Sequence, residues 1–374
     1  MTQFTAKKPD QKLLDSFFLP TLTNAKEYFI DTPPVTIKLD QNESPYDWPP
    51  AIKEAITQKL KTVSWNRYPS AFSDPVTRLL ANYANVPDDC VLTGPGTNHL
   101  LSMAISCLSR KIIGKVIIAQ PSFPLYESHC QYDGIPYEIW PLSNDLEYDL
   151  SLLPQVPEHS LIIFASPNNP VGNALKKQDL QHLLEKHPTS IFLADEAYFE
   201  FADEQYTDLL SKHSNLIILR TCSKTLGAAG IRLGYIIAHQ DYISIFKKLR
   251  LPYLLNQFTL VAAEVFLKDN SLHAFVEKNV NSTKKERDQL ISALSEISKD
   301  SGFTVKRSQA NFFLMRWKDQ KSCLHAYQQL IEEGILVRNI SAGPGLEGCL
   351  RVTVGTSYEN EAFIRAAKKH FVHK

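Results

Sequence analysis

The chain has 374 residues, 44% hydrophobic and 21% charged, and its 40 Lys and Arg balance 40 Asp and Glu. This composition excludes wholesale disorder, and a net charge of zero with scattered basic residues lacks the footprint of a nucleic-acid or membrane-surface binder. The length exceeds what one core usually fills, so two domains are expected.

Cys90, Cys107, Cys130, Cys222, Cys323 and Cys349 form neither a C-x-x-C pair nor a zinc-type spacing with histidine, so they read as free thiols in a reducing compartment, with no metal. No apolar stretch has the length of a membrane span, and the start "MTQFTAKKPDQK" lacks the apolar core of a signal peptide, which reads as a cytoplasmic protein.

Residues 1–12 are polar and expected to be irregular, and prolines in "DTPPV" and "SPYDWPP" block regular structure in the next stretch. In "AIKEAITQKL" Ala51, Ile52, Ala55, Ile56 and Leu60 share one helical face, and "SDPVTRLLANYA" opens a second helix with Asp74 as cap and Pro75 at the first position. From there to residue 240 the short runs "CVLT", "KVIIA", "LIIFA", "IFLAD", "NLIIL" and "GYIIA" alternate with helical stretches such as "KKQDLQHLLEKH". That alternation predicts a parallel sheet covered on both faces, a doubly wound α/β domain.

After residue 265 a long charged helix, over 273–299, leads to "FTVKR", "NFFLMRW", a helix over 321–333 stopped by Gly334, then "ILVRN", "LRVTVG" and a last helix. The expected division is a large domain over 51–264, and a smaller α+β domain formed by 265–374 with the segment 1–50 packed onto it.

In open α/β sheets ligands bind beyond the carboxyl ends of the strands, and the residues there form a set. "CVLT" is followed by "GPGTNH" and a helix, "LIIFA" by "SPNNPVG", "IFLA" by "DEAY" and "NLIIL" by "RTCSK". A glycine loop entering a helix offers backbone N–H groups and the positive dipole end to a phosphate, through Thr97 and Asn98, although "GPGTNH" alone serves equally as an ordinary turn. Asp195 after an apolar run is costly unless a cation pairs with it, or caps a helix; Asn169 is a site amide or only a turn former.

Lys224 carries the decision. An ordinary lysine, pKa about 10.4, is neutral in about one molecule in 2,500 at pH 7, so a nucleophilic one must be desolvated or lie near other cations. Arg232 supplies such a cation if the loop curls back, and Gly227, Gly230 and Gly234 permit the curl.

Phosphate loop, amide, carboxylate, lysine and arginine, in that order, meet the needs of pyridoxal phosphate. On these residues the sequence resembles the fold-type I, aspartate-aminotransferase-like enzymes of pyridoxal phosphate, and within them the histidinol-phosphate aminotransferase branch. The likeness runs from "LDQNESP" (39–45) through "RYP" (67–69), "SPNNPVG" (166–172), "DEAY" (195–198) and "SKTLGAAGIRLGY" (223–235) to "GLEGCLRVTVGT" (345–356). It implies a fold-type I architecture, a large doubly wound, mainly parallel sheet domain with a smaller α+β domain, and pyridoxal 5'-phosphate as cofactor.

The resemblance assigns roles by position. Lys224 carries the cofactor and moves the proton, Asp195 pairs with the ring nitrogen, Asn169 and Tyr198 hydrogen-bond the ring oxygen, and Phe123 stacks on the ring. Thr97, Asn98, Thr221, Ser223 and Arg232 hold the phosphate, with Tyr68 reaching in from a second subunit, so a homodimer is implied. Asn42, Arg338 and Arg351 fall to the substrate. The implied reaction exchanges an amino group between the pairs glutamate/2-oxoglutarate and histidinol phosphate/imidazole-acetol phosphate, in histidine biosynthesis.

Three departures bear on this. Pro95 removes one N–H from the phosphate loop, Phe123 replaces the usual tyrosine, and Thr21 in "FFLPTL" stands where many members carry a tyrosine that helps bind the substrate phosphate. An aromatic amino acid aminotransferase and a threonine-phosphate decarboxylase share the scaffold, and a non-catalytic regulator domain is the alternative from another class. That last reading requires a DNA-binding module before "LDQNESP", which is not expected here.

Overall fold

A computed structural model of the chain describes residues 6–24, 33–299 and 301–372. Among these residues twelve strands form two sheets. They are β1 (Ile37–Leu39), β2 (Val91–Gly94), β3 (Val116–Gln120), β4 (Tyr137–Pro141), β5 (Leu161–Ala165), β6 (Ile191–Asp195), β7 (Leu216–Thr221), β8 (Gly234–Ala238), β9 (Phe303–Val305), β10 (Phe312–Trp317), β11 (Ile335–Asn339) and β12 (Cys349–Thr353).

The larger sheet has the order β2-β8-β7-β6-β5-β3-β4. Its central strands are buried along their whole length because both faces are covered. Alternate residues enter different cores: Ile162, Phe164, Phe192 and Ile218 pack on one face, Leu161, Ile163, Leu193 and Leu219 on the other. The strands from β4 to β7 pair in parallel, while β8 runs antiparallel to both β7 and β2. The expected mainly parallel sheet is therefore found, with its antiparallel pairs confined to β8. Residues 222–233 hold only a 3-10 turn, Ala229–Ile231, and without a crossover helix the chain can only double back.

Some local expectations shift. β4 is hidden in the sequence by Glu138 and by its half-buried edge position. The N-cap position of the helix Asp74–Ala84 is Ser73, whose side chain makes no capping bond, and not Asp74, which instead puts its charge in the first turn beside Pro75. Of the apolar face read in "AIKEAITQKL", Ile52 is buried, Ile56 and Leu60 are half-buried, and Ala51 and Ala55 are exposed. Within the polar start, Asp10 accepts from the Lys12 N–H at 3.1 Å and opens a short helix, Gln11–Phe17; residues 1–5 lie outside the described residues.

The smaller sheet has the order β1-β11-β12-β10-β9. β1 joins it in parallel, Ile37 opposite Ile335 and Leu39 opposite Val337, so the N-terminal segment supplies an edge strand to the C-terminal part. Its core of Leu39, Phe313, Met315, Val337, Leu350 and Phe363 is separate from those of the larger sheet. The two sheets meet where the Gln309 N–H donates to Gly172 O at 2.7 Å and Arg351 of β12 reaches Asn169 beyond β5.

Candidate active site

The parallel run of β5, β6 and β7 delivers three loops to one edge of the sheet, with Ala165, Asp195 and Leu219 in register across it. Period-two alternation then sorts the polar residues. Asp195 continues the face of Leu193, and Thr221 that of Leu219, so both belong to the face on which the helix Thr97–Ser109 packs through Leu100 and Leu101.

The amino end of that helix has the features of an anion cradle. Its cap is Gly96, at φ 84°, no side chain caps it, and no acidic residue lies in its first turn, so the N–H groups of Thr97 and Asn98 face outward at the positive end of the dipole. Gly234 lies so close that a Cβ there would come 2.7 Å from Thr97 N and 2.8 Å from Gly96 C. Arg232 takes the left-handed conformation, φ 58° and ψ 54°, which aims its guanidinium back along the loop. It donates to Ala229 O at 3.2 Å and to Ser223 Oγ at 3.5 Å, and a Cβ on Gly96 would fall 2.7 Å from its terminal nitrogen. The Thr221 hydroxyl accepts from the Ser223 N–H at 3.1 Å. Thr97, Asn98, Thr221, Ser223 and Arg232 are thus brought together at the end of the sheet.

Lys224 stands beside them, half-buried, with Nζ donating to Gln41 O at 2.8 Å. Burial first, then the Arg351 and Arg232 charges, depress its pKa to about 8, against the opposing pull of Glu43. At pH 7 about one molecule in ten then carries a neutral amine, some two hundred times the fraction of an ordinary lysine.

Asp195 ends β6 in a buried position. It accepts from Tyr126 Oη on Oδ2 at 2.7 Å and from the Ala197 N–H on Oδ1 at 3.1 Å. Burial pushes its pKa up to about 6 even with those two bonds lowering it, and Glu196 adds to the rise. Among the described residues no cation acts on it, which leaves one acceptor face of a buried carboxylate to be met from outside the chain.

Asn169 and Tyr198 are drawn toward the smaller sheet. Arg351 donates to Asn169 Oδ1 at 2.6 Å and to Asp40 O at 2.5 Å, and its guanidinium lies 5.4 Å from the Phe312 ring. Tyr198 Oη accepts from Asn42 Nδ2 at 3.0 Å. Asn42 is itself buried; its N–H donates to Thr353 Oγ1 at 3.0 Å and its carbonyl accepts from Asn311 Nδ2 at 3.1 Å. Asn42 therefore ties β12 to the loop after β6. Arg338 of β11 sits directly opposite Arg351 of β12, both facing the same side of the sheet. Phe123 is half-buried at the start of the helix Leu125–Tyr132, edge-on to Tyr126 at 5.8 Å. Tyr68 lies apart: it is 81% exposed and stacks on Tyr253 at 4.5 Å.

Three groups escaped sequence reasoning. Tyr126 sits three residues beyond Phe123 in "PSFPLY", and only its hydroxyl partner distinguishes it from a core aromatic. Glu196 and Arg220, neighbours in the chain of Asp195 and Thr221, turn to the opposite face and form a buried ion pair at 2.6 Å. A charge inside the run "LIILRT" was the available signal. Glu200 accepts from Thr225 Oγ1 at 2.7 Å and from Tyr83 Oη at 3.0 Å, which anchors the residue next to Lys224; burial pushes its pKa up to about 7.

An amine of lowered pKa, a buried carboxylate and an anion cradle on the edge of a doubly wound sheet define a class of group-transfer enzyme. Residues 34–366 match the family model described as aminotransferase class I and II, and the chain belongs to that family. Within it the chain is similar to enzymes named histidinol-phosphate aminotransferase. That of Thermococcus gammatolerans is 34% identical over 89% of this chain and 91% of its own length, and that of Pyrococcus furiosus 35% identical over 89% and 92%. The crystal structure of the histidinol-phosphate aminotransferase from Clostridium acetobutylicum superposes with a TM-score of 0.78 at 25% identity, covering 89% of this chain and 98% of that one. Among the described residues no helix is long and apolar enough to cross a membrane, and no group of three or more His, Cys, Asp or Glu is placed to hold a metal.

Proposed function

We propose that the cradle, Asp195 and Lys224 hold pyridoxal 5'-phosphate and that the enzyme transfers the amino group of glutamate to imidazole-acetol phosphate, giving 2-oxoglutarate and histidinol phosphate, or runs in reverse. The site's own residues fit the cofactor. The Thr97 and Asn98 N–H groups with Arg232, Ser223 and Thr221 suit a phosphate, the cationless Asp195 suits a protonated ring nitrogen, and Phe123 offers a ring to stack on. When bound, pyridoxal phosphate supplies the electron sink for the transfer. Lys224 Nζ takes a proton from the substrate carbon and returns it, a role that its depressed pKa supports near neutral pH.

The single observation that carries the substrate class is the register of Arg338 against Arg351. Like charges directly opposite on adjacent strands destabilise a sheet, and an anion between them relieves the cost. Two guanidinium forks suit a phosphate, and Arg351 with Asn169 lies on the Lys224 side of it.

The test is the half-reaction rate with histidinol phosphate, phenylalanine and threonine phosphate. Histidinol phosphate is expected to react fastest, and Arg338→Ala to slow it at least tenfold while phenylalanine is spared. Equal losses for both substrates would defeat the phosphate role, and release of carbon dioxide from threonine phosphate would favour a decarboxylase.

The same reading includes the division into 51–264 and 1–50 with 265–374; the separate cores of the two sheets support two units, but Trp48, Phe266, Leu267 and Val276 pack in the core of the larger sheet and the helix Gln257–Lys268 runs across the boundary at 264. It also includes a homodimer in which Tyr68 reaches the neighbouring site. Its support is an exposed aromatic group, Trp65 at 5.1 Å from Phe258 and Tyr68 on Tyr253; sedimentation would reveal a monomer if this is wrong.

A further inference from the structure

Asp195 differs from the other buried carboxylate nearby. Glu196 is neutralised by Arg220 at 2.6 Å, whereas Asp195 is held by two hydrogen-bond donors, one on each oxygen. The stronger contact comes from another element, the helix Leu125–Tyr132, whose Tyr126 is fully buried with its hydroxyl 2.7 Å from Oδ2. Burial and the neighbouring Asp195 push the phenol's pKa well above its ordinary value, so it remains a donor at all working pH. The other ionisable groups facing this point are already engaged. Glu196 turns to the opposite face with Arg220, Tyr148 donates to Ala165 O at 2.5 Å, and Tyr198 accepts from Asn42. Lys224 is directed to Gln41 O.

A bond on each carboxylate oxygen fixes both the plane of the group and the lone pairs still open, and a bond to the charged form opposes the effect of burial. We propose that Tyr126 is a positioning residue that holds Asp195 ionised and oriented for a cationic ring nitrogen. This rests on the reading of the site as a pyridoxal phosphate site. Removal of the hydroxyl leaves only the Ala197 N–H against burial, so the midpoint of Asp195 is expected to rise by about one pH unit, a tenfold change in its acid constant.

Tyr126→Phe keeps the ring and its packing on Phe123, so it tests the hydroxyl alone. The affinity of the apoprotein for pyridoxal phosphate, measured by fluorescence quenching from pH 5.5 to 8.5, is compared for wild type, Tyr126→Phe and Asp195→Asn. Ionisations of the free cofactor are common to all three and cancel. Protonation of Asp195 removes the partner of the ring nitrogen, so wild-type affinity falls as pH drops through about 6. In Tyr126→Phe the fall is displaced upward by about one unit while affinity at pH 8.5 stays within about threefold, and in Asp195→Asn it is absent. The carboxyl carbon resonance of Asp195 in the apoprotein, assigned by its loss in Asp195→Asn, is expected to move by the same amount. A limb and a resonance that titrate alike in wild type and Tyr126→Phe overturn the role of Tyr126 alone. A wild type that binds no pyridoxal phosphate overturns the site reading and this proposal with it.

Discussion

Gly234→Ala tests the cradle through a single carbon. Gly234 sits in β8 opposite both Gly94 and Thr221, and a Cβ there would lie 2.7 Å from Thr97 N and 2.8 Å from Gly96 C. Both neighbours are backbone, so neither can swing aside. Reaching the 3.4 Å of ordinary contact requires a displacement of about 0.7 Å, from 3.4 − 2.7, at the amino end of the helix Thr97–Ser109. Overpacking of this kind costs about 1–3 kcal/mol of stability. The same movement takes the Thr97 N–H from its place, and a hydrogen bond to a charged acceptor contributes about 1.5–3 kcal/mol, a factor of about 10 to 150 in binding.

The assay is the affinity of the apoprotein for pyridoxal phosphate alongside urea unfolding, with Gly230→Ala as the matched control. Gly230 is exposed and a Cβ there meets nothing within 4 Å, so that variant is expected to keep wild-type affinity and stability. If Gly234→Ala behaves like Gly230→Ala in both measurements, the cradle does not bind the phosphate through this backbone.

The rate at which the free Lys224 amine of the apoprotein reacts with an added aldehyde is expected to rise about tenfold per pH unit below its pKa of about 8 and to level above it; a limb centred near 10 would show that the burial and the two arginines do not act as described. In Lys224→Ala the transfer rate is expected to fall by at least about 10³-fold, and the visible absorption gained on adding pyridoxal phosphate to vanish. Arg220→Leu leaves Glu196 charged and buried and is expected to cost about 3–5 kcal/mol in urea unfolding. Arg220→Leu with Glu196→Leu should recover part of that loss. A double variant no more stable than the single one would argue that the pair's Coulomb attraction is not what holds it.

Much of the large domain could be read from the sequence because its strands are buried on both faces and their runs are nearly continuous. The exceptions mark where that signal fails. β4 is an edge strand with Glu138 inside it, and the reversal of β8 depended on the absence of a helix between residues 222 and 233, a feature of the loop and not of the strand. For the site, the pattern of polar residues in the segments after apolar runs singled out Asp195, Asn169 and Lys224 as candidates. It did not locate Tyr126, which reaches Asp195 from 69 residues away, or the contact of Asn42 with Thr353 across 311. Such contacts are set by how the elements pack, and nothing local encodes them.

Arg338 and Arg351 show the same limit in its sharpest form. Each is recognisable alone as a charge on an apolar strand, yet their joint use depends on the register of β11 against β12. A slip of one residue would send one guanidinium to the other face of the sheet and leave two unrelated charges. The register is held by the core beneath, where Val337 and Leu350 pack with Phe313 and Met315 in one cluster. The pairing of two like charges is therefore maintained by apolar packing against their mutual repulsion, which an anion held between them would relieve.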